Sequence, residues 1–175
     1  MYAAVILVNV TKKNILMHRN KSIIIGDTLV FTPMGYRCIK SLEVGDEVIS
    51  LNNNTDQPET KKIKAIQKNI SDSIITLSTN KGTIEVAAKS IFTLDDDTLM
   101  EAKDLLMGCS IKSLNGYLRL KYIGRSEVQK FIFNLEVEGE NNFFISKQDA
   151  LIQGIQEDLT MEQIEEKLME TVSHD

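Results

Sequence analysis

Residues 22–50 read SIIIGDTLVFTPMGYRCIKSLEVGDEVIS, and this stretch sets how the rest of the chain is read. Short apolar runs are broken by Gly26, Gly35 and Gly45, so it reads as a succession of strands and turns, with Cys38 on an expected strand. Later segments are of the same kind. In KFIFNLEVEG (130–139), Phe131, Phe133, Leu135 and Val137 alternate with Ile132, Asn134, Glu136 and Glu138, which predicts a strand with one apolar and one mostly polar face. YLRLKYIG (117–124) sets Leu118, Leu120 and Tyr122 against Arg119 and Lys121, and SIITLST (73–79) and GTIEVAA (82–88) flank the turn signal NKG. Many short strands with frequent turns predict a mainly β domain, a sandwich or a closed sheet.

The other segments are read from composition and spacing. LNNNTDQPETKK (51–62) is polar and is expected to be an exposed loop, a candidate contact surface. Asp95, Asp96 and Asp97 precede an expected helical turn from Leu99 to Leu106 that ends at Gly108; adjacent aspartates point in different directions, so a solvated turn is expected there rather than a cation site. In the tail (155–175), Met161, Ile164, Leu168 and Val172 fall at helical spacing and Thr160 with Gln163 forms a capping box, so an acidic amphipathic helix is expected over 160–172, docked on its own domain or on a partner. The apolar start, YAAVILVNV, is too short to span a membrane, lacks a preceding basic residue and a cleavage pattern, and reads as a buried strand. No classical signal peptide or transmembrane helix is expected, and the cytoplasm is the expected compartment.

Composition narrows the function. With 175 residues, 42% of them hydrophobic, the chain can bury one core. A formal net charge of -5 argues against a nucleic-acid binder. The local basic run of Lys112, Arg119, Lys121, Arg125 and Lys130, with Tyr117 and Tyr122, reads as a strand face balancing the acidic tail. His18 and His174 are the two histidines, so no residue between them can act as an imidazole base or ligand. Cys38 and Cys109 are far apart, lie outside any metal-binding spacing and are expected to be reduced, largely buried thiols. No metal and no cofactor is expected.

The order of segments carries a resemblance. GDTLVFTPMGYRCIKSLEVGDEVIS, through Thr28, Gly35, Ile39, Leu42, Gly45, Asp46 and Val48, resembles the first motif of the Hint (hedgehog/intein) family. ITLSTNKGTIEVAAKSIFTLDDDTLMEAKDLLMGCSI (75–111) resembles its second motif, and FIFNLEVEGENNFFISKQDALIQG (131–154) its final pair. The resemblance covers residues 22–154. It implies a horseshoe of long curved strands whose ends lie close together, with 1–21 as an N-terminal strand or extension of the same domain (1–154).

The resemblance also implies self-processing chemistry, and this sequence departs from it at each position. The nucleophile position holds Ile23, a hydrocarbon with no lone pair. The threonine and histidine of the second motif are Ala87 and Ser90. The aspartate and histidine of the later motifs are Asn134 and Asn141, and the terminal His-Asn pair reads Ile152 and Gln153, with Gly154 where splicing relatives carry Cys, Ser or Thr. The expectation is a Hint fold without its chemistry, serving as a binding or structural module. The alternative is slow or triggered self-cleavage through Ser22, which a one-residue bulge would bring into register, or through Gln153.

Overall fold

A computed structural model describes residues 24–154, and all of these fall in one unit. The expected N-terminal strand, Ser22, Ile23 and the expected helix 160–172 lie outside the described residues. Fourteen strands are described: β1 (Ile24–Ile25), β2 (Leu29–Thr32), β3 (Gly35–Cys38), β4 (Glu47–Asn52), β5 (Gln57–Ser71), β6 (Ile74–Thr79), β7 (Gly82–Ala87), β8 (Ile91–Thr93), β9 (Leu99–Glu101), β10 (Ser110–Ser113), β11 (Gly116–Ser126), β12 (Lys130–Val137), β13 (Asn142–Ile145) and β14 (Ala150–Gln153). One sheet has the order β1-β12-β5-β4; the second runs β3-β2-β13-β14-β10-β11-β6-β7, with β8 joining β14 to β9. No helix among the described residues is long and apolar enough to cross a membrane.

The main core is filled from both sheets by Ile24, Val48, Phe92, Leu135, Phe143 and Ile152. A smaller core joins Leu51, Phe144 and Leu151. β13 therefore buries both faces: Phe143 points into one core and Phe144 into the other, as strict alternation along a strand requires. This explains the uninterrupted apolar run FFI, which could not face water on either side.

Several expectations are corrected. The polar segment 51–62 is a hairpin, with β4 ending at Asn52 and β5 starting at Gln57, so only 53–56 is loop. Asn52 closes it, its Oδ1 accepting from the N–H groups of Asn54 (2.9 Å) and Thr55 (3.1 Å). β4 buries Val48, Ser50 and Leu51, whereas Gln57–Lys62 of β5 is mostly exposed, so polar residues suit that strand as well as they suit a loop.

The helical turn expected over Leu99–Leu106 is shorter, a single 3-10 turn. β9 is followed by a 3-10 turn, Ala102–Asp104, and Gly108 at φ +89. The same device occurs earlier, with a 3-10 turn at Ile39–Ser41, Leu42 tucked under it and Gly45 at φ +93. Ala102 and Leu105 are buried three apart, as Ile39 and Leu42 are, a spacing that a single 3-10 turn satisfies without further helix. Leu106 and Met107 are left exposed at its tip.

The facial assignment of β12 is partly reversed. Ile132 and Asn134 are buried because β12 is covered on that side too, whereas Phe131 is 58% exposed. On β11 the alternation holds through Leu118 and Leu120 and then fails. An extra residue between Leu120 and Tyr122 forms a bulge against β6, and Tyr122 turns to solvent.

The basic run does not form one free face. Lys112 bridges Asp56 (2.8 Å) and Asp97 (2.9 Å), Arg125 donates to the Lys103 carbonyl (2.9 Å), and Lys130 pairs with Glu85 (2.6 Å). Asp56 and Asp97 hold the Lys112 ammonium above its ordinary pKa. Asp96 folds back on Thr98, accepting from its N–H (3.1 Å) and hydroxyl (2.6 Å). Asp96 thus caps the turn and Asp97 holds a lysine. No group of three or more potential metal ligands occurs among the described residues. Both cysteines are free thiols, and both are half-buried rather than buried.

The β13–β14 turn is tied to β3 by Tyr36, whose hydroxyl donates to Asp149 (2.8 Å). Desolvation first, and the Asp149 bond second, push the phenol up to about 12. A raised phenol pKa favours the fold fully below the ordinary value of 10 and loses that contribution as pH climbs from 10 through about 12. In an absorbance titration at 295 nm, one of the four tyrosines is expected to ionise near 12, and that step is expected to vanish in Tyr36→Phe. A Tyr36→Phe titration with the late step intact would refute the assignment.

Candidate functional site

The described chain begins and ends at one place, the middle of β12. Ile24 lies opposite Phe133 and Ile25 opposite Ile132, and Gly26 N–H donates to the Phe131 carbonyl (3.0 Å). At the other end, β14 pairs with β13, Asn142 opposite Gln153 and Phe143 opposite Ile152, while Ile152 lies opposite Phe92 of β8. Gly154 then donates to the Asn141 carbonyl (2.6 Å). A β-carbon added at Gly154 would sit 2.6 Å from the Leu135 carbonyl oxygen, so the outgoing backbone lies directly on β12.

Of the residues singled out in the sequence, Asn134, Asn141 and Gly154 lie at this convergence and Ile152 and Gln153 on the strand that leads to it. Asn134 is buried on β12 between Phe133, which faces β1, and Leu135, which faces the exit at Gly154. Ser90 is fully buried in the turn between β7 and β8, its N–H donating to the Ala87 carbonyl (3.0 Å) and its carbonyl accepting from Ala102 N–H (2.7 Å). Ala87 ends β7 and is buried. Ile152 is fully buried in the main core. Ser22 and Ile23 lie outside the described residues, immediately before β1.

Asn141 acts as a clasp. It adopts a left-handed conformation (φ 51), which asparagine tolerates better than most residues. Its side-chain oxygen accepts from Val137 N–H (2.8 Å) and its main-chain oxygen accepts from Gly154 N–H. One residue thereby joins the end of β12 to the end of β14. Gln153 is also held, since its side-chain amide donates to the Thr93 hydroxyl (3.1 Å).

Chemically the site is poor. Ala87 and Ile152 are hydrocarbon, Ser90 is a hydroxyl, and Asn134, Asn141 and Gln153 are neutral amides, so none of the six titrates near neutral pH. A hydroxyl becomes a nucleophile beside a base, and no histidine lies among the described residues to serve as one. Imide formation at Gln153 requires its amide nitrogen to turn back onto its own carbonyl, and here that nitrogen is bonded to Thr93 across the sheet.

Sequence reasoning misses one contributor, Thr93, and finds a second, Gly154, for another reason than the fold gives it. Thr93 ends the apolar run SIFT and carries no mark of its own; its place on a strand near Gln153 gives it its role. Gly154 stands out in the sequence for the side chain it lacks, whereas in the fold the space around it matters more. No local signal marks that space, because the crowding atoms come from residues 135 and 141.

Comparison with solved structures agrees with this geometry. The chain superposes on a bacterial intein-like domain from Clostridium thermocellum (TM-score 0.71, 18% identity, 76% of this chain and 99% of that one). It likewise matches a DnaB intein from Synechocystis sp. PCC 6803 (TM-score 0.68, 22% identity, 75% and 97%). An engineered Ssp DnaB mini-intein variant is similar at TM-score 0.66 and 21% identity, over 77% of this chain and 95% of that one. No family model and no curated protein sequence matches. These superpositions, over about three quarters of the chain, give it the fold of the intein-like, or Hint, domains.

Proposed function

We propose that this chain is a Hint-fold domain that does not process itself and serves as a binding or structural module. The observation that carries the reading is the state of the C-terminal junction. Gln153 is bonded into the sheet through Thr93, and Gly154 is packed where no side chain fits, so a flanking Cys, Ser or Thr could not occupy position 154 in this arrangement. Around it, the positions that the family resemblance would fill with a proton-transferring His or Asp hold Ser90, Asn134 and Asn141.

The test is the intact mass of the purified chain before and after long incubation, with and without hydroxylamine and a thiol. A single species at 19.7 kDa in every sample is expected. Fragments meeting at residue 22 or 153 would overturn the reading; loss of the first cut in Ser22→Ala, or of the second in Gln153→Ala, would identify the nucleophile.

A further inference from the structure

The second sheet ends on β7, which pairs with β6 on one side and with no strand among the described residues on the other. The tight turn at Asn80–Lys81 makes Thr79 and Gly82 a bonded pair, so by alternation Gly82, Ile84 and Val86 turn their main-chain groups to β6. The N–H and C=O groups of Thr83 and Glu85 therefore point to the open edge, and no main-chain bond from the described residues reaches them there.

That edge borders a cleft of about 340 Å³ lined by Thr83, Ile84 and Glu85. The rest of its lining, Thr28, Leu29 and Lys147 among it, comes from the start of β2 and the β13–β14 turn, so the edge looks onto other parts of the domain. The cleft is blocked at the start of β7. The Gln148 side chain takes up the space that a side chain at Gly82 would need, and its amide donates to the Lys81 carbonyl (3.4 Å). Lys147 lies beside this stop, exposed and without an ion pair among the described residues. The acidic lining residues are both paired, Asp27 with Lys40 (2.7 Å) and Glu85 with Lys130 (2.6 Å). An open row of main-chain groups thus leads to a blocked end that carries one unneutralised cation.

We infer that β7 takes up the C-terminal end of another protein as an added antiparallel strand, with the terminal carboxylate on Lys147. This rests on the binding-module reading and supplies its partner class. The direction follows from the two ends of the cleft. A chain running antiparallel to β7 passes Glu85 first and arrives at Gly82, where Gln148 stops it and Lys147 meets its negative charge. At roughly 3.3 Å per residue, Thr83–Glu85 matches about the last three residues of such a chain. Strand addition draws affinity from main-chain bonds, and capture of the carboxylate fixes the register. Other occupants fit less well. A second copy offering its own β7 would bring its own Thr28, Leu29 and Lys147 up against those of the first. Nucleic acid finds no aromatic ring among the lining residues on which to stack, and the chain carries a net charge of -5.

The test offers the full chain two pools of random hexapeptides, one with free C-terminal carboxylates and one amidated, and identifies the retained peptides by mass spectrometry. Free carboxylates are expected to be retained over amides. The best retained peptide, dye-labelled, is expected to bind in fluorescence anisotropy and to slow hydrogen exchange at the amides of Thr83 and Glu85, while Ile84, already bonded to β6, changes little. Lys147→Glu, an exposed substitution, is expected to weaken binding by about tenfold, roughly what loss of one central contact costs. Backbone amide spectra of the variant check that the fold is kept. The inference is overturned by equal retention of the two pools or of neither, by binding indifferent to Lys147→Glu, or by unchanged exchange at Thr83 and Glu85. Slow exchange there without peptide, deepening as protein concentration rises, would assign the edge to a second copy and overturn it as well. An unchanged intact mass with any of these outcomes sinks the partner assignment alone, whereas self-cleavage sinks the reading beneath it.

Discussion

Asn142→Ala is expected to remove about 3–5 kcal/mol of folding stability, measured by urea unfolding at neutral pH with an unchanged denaturant slope. The magnitude follows from what the side chain replaces. Leu51 lies opposite Pro58 at a position of the β4–β5 ladder where the main-chain groups of both residues point away from each other, so Leu51 turns its N–H and carbonyl to the other edge of β4. There they meet the side chain of Asn142, which accepts from the N–H (2.8 Å) and donates to the carbonyl (3.1 Å). Its oxygen also accepts from the buried Ser50 hydroxyl (2.7 Å). An amide side chain thus takes the place of a neighbouring strand and joins β4 of one sheet to β13 of the other. Alanine would strand three buried polar groups at about 1–3 kcal/mol each, less whatever water can recover. A loss below about 1 kcal/mol would mean that water replaces the amide fully and that Asn142 is not a joint between the sheets.

Asn142 also shows where sequence reading reaches and where it stops. The motif ENNFF is legible as part of a Hint-like ending, and the strand period places Phe143 and Phe144 on opposite faces. Nothing local reveals that the second asparagine serves Leu51, some ninety residues earlier, since the need arises from the place of β4 at the edge of its sheet. The first asparagine stands out in the sequence as the wrong residue for proton transfer; its fitness for a left-handed turn, which a larger branched residue would resist, is a second property of the same side chain.

The departures from expectation share a physical origin. Alternation predicts burial correctly only where each strand has one wet face. β12 has cover over Ile132 and Asn134, and β11 changes face at its bulge, so both departures depend on neighbours that periodicity does not contain. The tip and the β5 half of the hairpin β4–β5, residues 53–62, resemble a loop in composition because they are polar, and they are polar because that stretch is mostly exposed. The meeting of β1 and β14 on β12 is legible only as an implication of the resemblance, since no pattern within either segment points to it.

Gly154→Ala is expected to cost about 2–3 kcal/mol, typical of overpacking against backbone, and to lower the melting temperature by about 5–10 °C. The glycine is not needed for its freedom of φ here. The added methyl would fall inside the contact distance of Asn141 Oδ1 and 2.6 Å from the Leu135 carbonyl oxygen, the latter belonging to a strand held against β5 at Ile66. Relief requires the exit strand to lift, and lifting breaks the bond from Gly154 N–H to Asn141. Asn141→Gly in the same chain removes one of the two clashes, so the double variant should be less destabilised than the two single losses combined, with a coupling of about 1 kcal/mol. Full tolerance of Gly154→Ala would show that the junction opens freely in solution and would remove the main support for a domain that cannot cut. Partial rescue would mean that the close approach of Gly154 to Asn141 and the Leu135 carbonyl persists in solution, as the proposed lack of room for a side chain at this position requires.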